Sequence, residues 1–282
     1  MTKTGTVHTE GANIVYDCAG DGPLLLTIAG GGGDASRYAP LSHMLADAYT
    51  VVSYDRRGNS RSTGDASVDM DMAQSARDAV AVIRAMSIEK AYVFGNSGGA
   101  NIGLKLAEDL PEVITGLVVH EPPVIPILPD AETWQGFVQK VHETYVTQGV
   151  QAAMNLFASS LVGFDAPSQR PGGGIGAGPN MDFFMAREYV PIGTYVPNLD
   201  AISRNQVAIV TAAGRRSADA YYARTARLLA QRLGCQYVEF PGNHLAFIND
   251  TEAFATALRA VLQDLALEGF HPPRTHLMTE NG

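Results

Sequence analysis

Short, nearly unbroken apolar runs alternate along this chain with longer segments whose apolar residues recur every three or four positions. The runs Leu24 to Ala29, Thr50 to Tyr54, Ala91 to Phe94, Ile114 to Val119, Val207 to Thr211 and Cys235 to Phe240 predict strands. Strands with so little polar face need cover on both sides. Thr6 to Glu10 and Ala12 to Cys18 add two N-terminal strands, with Glu10-Gly11 as the turn between them. Helical spacing predicts helices over Ala35 to Ala48, Asp71 to Met86, Ala100 to Leu110 (stopped by Pro111), Ala218 to Leu233 and Thr251 to Leu265. Strands and helices in this alternation imply an α/β fold: a mostly parallel eight-stranded sheet flanked by helices. Ligands of such sheets bind at the carboxyl ends of the strands.

From Pro122 to about Arg204 the alternation stops. Asp130 to Thr147, Val150 to Leu161 and Met181 to Tyr189 have helical spacing, and no strong strand separates them. Pro167 to Asn180 holds the run Pro171-Gly172-Gly173-Gly174-Ile175-Gly176-Ala177-Gly178-Pro179, which predicts a non-regular gate or disordered loop. The expected division is therefore a core of 1–121 and 205–282 with a helical cap, 122–204, inserted into it. Cap aromatics such as Trp134, Phe157, Phe183 and Phe184 can line a pocket or form the cap's own core.

At 282 residues the chain is long enough for one large domain with an insertion, and no linker-like stretch divides it. A net charge of −9 argues against nucleic acid as a partner. The polar N-terminus lacks a signal-peptide core, and no apolar run nears the ~20 residues of a membrane span. The expectation is a cytoplasmic protein with no membrane partner. Cys18 and Cys235 lie far apart and outside any Cys-x-x-Cys pair, which predicts two free thiols and no metal or redox motif.

The strongest local signal is Gly95-Asn96-Ser97-Gly98-Gly99, entered from an apolar strand and followed by a helix, the pattern of a nucleophile elbow. A serine on so tight a turn sits at strained backbone angles, and glycines two before and two after it prevent collision across the turn. The turn lifts the Ser97 hydroxyl clear of the sheet, and the helix start behind it offers the Gly98 N–H to a developing oxyanion. Serine needs a base within hydrogen-bond reach. Of seven histidines, only His244 lies in a short loop after the last strand, in Pro241-Gly242-Asn243-His244. His120, at the end of another strand, competes for the role but reads as a structural histidine.

These elements, in this order, resemble the α/β-hydrolase superfamily from about residue 7 to 265. Asp55-Arg56-Arg57-Gly58-Asn59-Ser60-Arg61-Ser62 is similar to the family's Asp-x-Arg-Gly-x-Gly-x-Ser signature, with Ser60 where the second glycine is usual. Its expected role is structural: salt bridges and a tight loop. The resemblance implies that Gly30-Gly31-Gly32-Gly33, after the third strand, supplies the second oxyanion N–H, from Gly31. It also places the histidine base at His244, in the order nucleophile, acid, histidine.

The family's usual acid position, after Val207 to Thr211, is Ser217 here. Asp219 follows it and looks like part of a first helical turn. Glu121 stands at the mouth of the strand beside the elbow strand, with a side chain long enough to reach a histidine. Pro122 is expected to hold its backbone extended. The acid is therefore assigned to Glu121 over Asp219; a solvated carboxylate or an arginine's salt-bridge partner is the plain alternative for Glu121. His120-Glu121-Pro122 is similar to the zearalenone-type lactone hydrolases, whose acid is a glutamate at that point, and this hints at a bulky ester or lactone substrate. The implied function is a serine hydrolase that cleaves a small-molecule ester or lactone with no metal or organic cofactor. C–C bond hydrolases, perhydrolases and cofactor-free oxygenases share the Ser–His pair, and a ligand receptor can retain it. A homodimer through cap helices is compatible with the sequence and not demanded by it.

Overall fold

The computed structural model describes residues 2–165 and 178–268. Its strands are β1 (Lys3–Thr9), β2 (Ala12–Ala19), β3 (Leu24–Ile28), β4 (Thr50–Tyr54), β5 (Ala91–Asn96), β6 (Ile114–His120), β7 (Ile209–Gly214) and β8 (Gln236–Phe240). They form one sheet in the order β1-β2-β4-β3-β5-β6-β7-β8. β1 pairs antiparallel with β2, and β2 antiparallel with β4. The other neighbours are all parallel. This is the mostly parallel eight-stranded sheet that the strand and helix alternation predicts, and the α/β-hydrolase fold that the resemblance implies.

The apolar runs are divided between two faces by the period of two along a strand. Leu24, Leu26, Ile28 and Val93 pack on one side with Ala76, Ala79 and Ile83 of α2 (Met72–Ala85; α1 is Ala39–Leu45) and with Ile102 and Leu106 of α3 (Gly98–Asp109). Leu25, Tyr92 and Phe94 face the other side. There they meet Leu41 and Leu45 of α1 and Phe254, Leu258 and Leu262 of the C-terminal helix (Thr251–Glu268). β3 and β5 are buried along their whole lengths, which accounts for their lack of polar positions.

Between β6 and β7 the described residues form α4 (Ala131–Gln148), α5 (Val150–Ser159), α6 (Pro179–Phe183), a π-helical turn (Phe184–Glu188), α7 (Tyr189–Thr194) and α8 (Leu199–Asn205), with no strand. α4, α5 and α7 share a third apolar cluster with Tyr221 and Tyr222 of α9 (Tyr221–Leu233). The C-terminal part adds α10 (Ala246–Asn249) before the final helix, α11.

Several boundaries differ from the sequence reading. Ala35 to Ala48 is not one helix: a 3₁₀ turn (Ala35–Tyr38) hands over to α1, where Pro40 sits in the first turn. Proline lacks an N–H and is accommodated there but not in a helix interior. α9 begins at Tyr221, because Ala218 has φ 47, incompatible with a right-handed helix. β7 runs on to Gly214 through the small, fully buried Ala212 and Ala213. Residues 167–177 of the glycine-rich run, and the tail from 271 with His271 and His276, lie outside the described residues. The end of that run is described, and Pro179 opens α6 at a position where proline fits a helix. Among the described residues no helix is long and apolar enough to cross a membrane.

Candidate active site

β5 delivers its chain directly into the serine turn. Ser97 adopts φ 55 and ψ −126, and α3 starts at the next residue. A non-glycine residue in such a region costs about 1–3 kcal/mol and persists only where its surroundings hold it. Here the Ser97 N–H donates to the His120 carbonyl at 3.0 Å, and the Ser97 carbonyl accepts the Ala100 N–H at 2.9 Å. The flanking glycines are steric necessities. A Cβ on Gly99 would run into the Ile28 carbonyl oxygen, and one on Gly95 into the Gly99 carbonyl, both of them backbone atoms.

Glu121 follows the last residue of β6 and turns into left-handed backbone space, with φ 50. That corrects the expected extended conformation. Turning there buries the carboxylate completely and aims it across β7 toward the His244 loop. The Glu121 N–H donates to the Ala212 carbonyl at 2.9 Å, which ties the turn to β7. One carboxylate oxygen accepts the Gly214 N–H at 2.7 Å and the other lies 2.5 Å from His244 Nδ1. Burial pushes the Glu121 carboxyl toward its neutral form, but the His120 and His244 rings and the nearby Ser217 hydroxyl outweigh it and hold it below the usual carboxylate range. Asp219 is 92% exposed and lies 3.2 Å from Arg227, so the competing carboxylate makes no contact with His244.

His244 is positioned by its loop. Gly242 takes φ 75, its carbonyl accepts the Arg216 N–H at 2.8 Å, and Asn243 accepts the Leu245 N–H through its side chain at 3.0 Å. The Tyr222 ring packs against the imidazole at 4.6 Å between centroids. With Nδ1 facing Glu121, Nε2 is the nitrogen left for the cavity that His244 and Ser97 both line. His120 is held differently. Its ring sits among Phe94, Phe240 and Phe254, and its Nδ1 accepts the Asn96 amide at 2.9 Å. Burial pushes its pKa down to about 4, so it is neutral at pH 7. The same Asn96 amide reaches the His244 carbonyl at 3.4 Å and so bridges the two histidines. Nothing in the sequence marked Asn96, the variable position of the elbow motif, for that task.

The cavity has about 40 Å³ of open volume, room for a few waters. Gly30 and Gly31 form part of its wall with Ser97, Asn96 and His244, and Phe157 and Phe184 come from the inserted helices. Trp134, Phe164 and Met185 pack in the third apolar cluster, to which Phe157 and Phe184 also belong. Among the described residues neither the Gly31 nor the Gly98 N–H has an acceptor, as expected for a bare loop and a first helical residue. The cap presses on both: a side chain on Gly31 would meet the Phe184 ring at 2.7 Å, and one on Gly98 would meet Ile192 at 2.6 Å.

The Asp55 to Ser62 turn does more than brace itself. Arg57 pairs with Asp78 and Arg61 with Asp55 and Asp17. Arg56, however, donates through Nη2 to the Gly30 carbonyl at 2.9 Å and to the buried Glu188 carboxylate of the cap at 2.7 Å. Asn180 likewise donates to the Gly32 carbonyl at 2.9 Å and accepts the Ser60 N–H at 2.8 Å. Ser60 has φ 49, which explains why glycine is usual at that place. Asn180 therefore holds the glycine loop directly and Glu188 holds it through Arg56; pairs separated by more than a hundred positions leave no local signal. Among the described residues no three His, Cys, Asp or Glu side chains gather where they could hold a metal ion.

The fold agrees with what the chain is similar to. It is 30% identical over 268 residues to the uncharacterized hydrolase YraK of Bacillus subtilis (strain 168), covering 93% of this chain and 96% of that one. Its fold matches an enol-lactonase from Burkholderia xenovorans LB400 with a TM-score of 0.75 at 19% identity, over 92% of this chain and 100% of the other. It also matches a thermophilic esterase from Thermogutta terrifontis with a TM-score of 0.76 at 18% identity, over 93% and 99%. The family model described as the alpha/beta hydrolase fold matches residues 23–189, more than half of the sequence, and the chain belongs to that family.

Proposed function

We propose that this protein is a serine hydrolase that cleaves a carboxylic ester or lactone through a covalent acyl-enzyme. The observation that carries the reading is the buried Glu121–His244 hydrogen bond beside the cavity that Ser97 lines. Ser97 Oγ attacks the substrate carbonyl while His244 Nε2 takes its proton. Glu121, ionised and accepting the Nδ1–H, fixes the tautomer and stabilises the imidazolium. The tetrahedral oxyanion is held by the Gly31 and Gly98 N–H groups. His244 then protonates the leaving alcohol, which in a lactone stays tethered, and activates water to release the acid.

Neighbours of the same fold named as an enol-lactonase and an esterase supply the ester and lactone chemistry as a fold-level analogy. The test is intact-protein mass after exposure to a fluorophosphonate, for the native chain and for Ser97→Ala. One adduct on the native protein and none on the variant is expected. A folded native protein that takes no adduct would count against an activated serine.

A further inference from the structure

The cavity at Ser97 is mostly apolar, with Met154, Phe157, Leu161, Phe184 and Phe247 in its walls. Among the described residues one permanently charged side chain stands against them in the lining, Arg37. It belongs to the 3₁₀ turn Ala35–Tyr38, and the next residue, Tyr38, is buried and stacked on Phe247 at 4.7 Å. The backbone that carries Arg37 is thus pinned to the core. Its Nη2 lies 3.8 Å from where a Cβ on Gly32 would be, so the head group rests against the glycine loop.

Arg37 is half-buried and, among the described residues, has neither an ion pair nor a hydrogen bond. Nearby arginines differ: Arg56, Arg57 and Arg61 each hold a carboxylate. The carboxylates of Asp34, Asp55 and Glu188 bond other groups. Asp34 accepts the Ser36 N–H at 2.8 Å, Asp55 takes the Ala35 N–H and Arg61, and Glu188 takes Arg56 and Asn59. The stretch 166–177, outside the described residues, contains no Asp or Glu. A half-buried guanidinium beside apolar walls, with no counter-charge among the described residues, suits a planar carboxylate brought by the ligand.

We propose that Arg37 is a specificity-determining residue and that the pocket takes a small ester or lactone bearing a free carboxylate. The proposal rests on the serine-hydrolase reading for its chemistry and on the placement of Arg37 for its charge preference.

The test compares kcat/KM for three 4-nitrophenyl or phenyl esters: neutral 4-nitrophenyl butyrate, the mono-4-nitrophenyl ester of glutarate (carboxylate on the acyl side) and 4-acetoxybenzoate (carboxylate on the alcohol side). The native enzyme should prefer one anionic ester, and which one tells the side of the scissile bond that Arg37 serves. Arg37→Gln should lower the anionic-to-neutral kcat/KM ratio by about 10- to 100-fold, mainly through KM, with partial recovery in Arg37→Lys. In parallel, titration calorimetry of glutarate against Ser97→Ala should show binding that is lost when Arg37→Gln is added. A ratio that Arg37→Gln leaves unmoved, or glutarate binding indifferent to Arg37, overturns the proposal. If turnover of the neutral ester still depends on Ser97, the hydrolase reading survives that failure. Absence of all turnover with Arg37-dependent glutarate binding would sink the hydrolase reading alone.

Discussion

The Arg56 guanidinium and the Glu188 carboxylate form an ion pair 2.7 Å apart that joins the turn after β4 to the π-helical turn of the cap, each side chain no more than 4% exposed. The same guanidinium nitrogen holds the Gly30 carbonyl, and the second oxygen of Glu188 accepts the Asn59 amide at 2.9 Å. Cap and glycine loop are therefore fixed by one polar cluster that is shielded from salt and water.

Removing one partner of a buried pair leaves the other charge uncompensated, at a cost of about 3–5 kcal/mol. Glu188→Ala should lower the unfolding free energy from urea titration by that amount, and Glu188→Gln, which keeps hydrogen-bonding atoms in place, by less. Both should reduce kcat/KM because Gly30 precedes the proposed oxyanion donor. A Glu188→Ala protein that unfolds at the native midpoint would show that the pair contributes no more than a surface contact.

Glu121→Gln keeps an oxygen for the Gly214 N–H but removes the charge that faces His244 Nδ1. The expected result is a fall in kcat of about 10⁴-fold with the protein still folded. Asp219→Asn, at an exposed site, should leave kcat within about 2-fold. Steady-state kinetics on the two variants decides between these carboxylates, and the opposite ranking would return the acid role to Asp219.

Acid should destabilise the fold in two steps. Buried His120 has a pKa near 4, against 6.5 for an ordinary histidine. Between those values the unfolded chain binds a proton that the folded chain does not, so stability rises with pH across the window. The contribution is fully present above pH 6.5, amounts to about 3 kcal/mol, and is lost as pH falls toward 4. Glu121 is depressed below the usual carboxylate value; its contribution is present above that value and is lost as pH falls through the lower, folded pKa. Urea midpoints measured from about pH 7 down to about pH 4.5 should decline in the native protein. His120→Gln, which retains an acceptor for Asn96, should flatten that decline.

Two glycines should respond in opposite directions. Gly99→Ala places a methyl group against the Ile28 carbonyl, which no rotamer can relieve, and should abolish folding or activity. Gly136, inside α4, has open space on the side where a Cβ would stand, so Gly136→Ala should stabilise the helix by up to about 1 kcal/mol. Thermal melts of the two variants give the answer directly.

The sequence by itself determined the sheet and picked out the candidate residues that the structure gathers at one end of it. Apolar runs with a period of two on a two-faced sheet, glycines where backbone meets backbone, and a histidine two residues after Gly242 are constraints between near neighbours, and they can be read from spacing. Glu121 is legible for the same reason, as the first residue beyond a buried strand next to the elbow strand. What only the tertiary structure decided depends on where distant segments land. The left-handed turn at Glu121 follows from its need to reach both Gly214 and His244, more than ninety positions away. Along the chain Arg56 is one more member of a salt-bridged turn; the cap brings Glu188 to it across 132 residues. Arg37 has the spacing of a helical surface cation; folding half-buries it at the cavity wall, where it has no ion pair among the described residues. Charge pairing is a property of three-dimensional neighbours, and no periodicity along the chain encodes it.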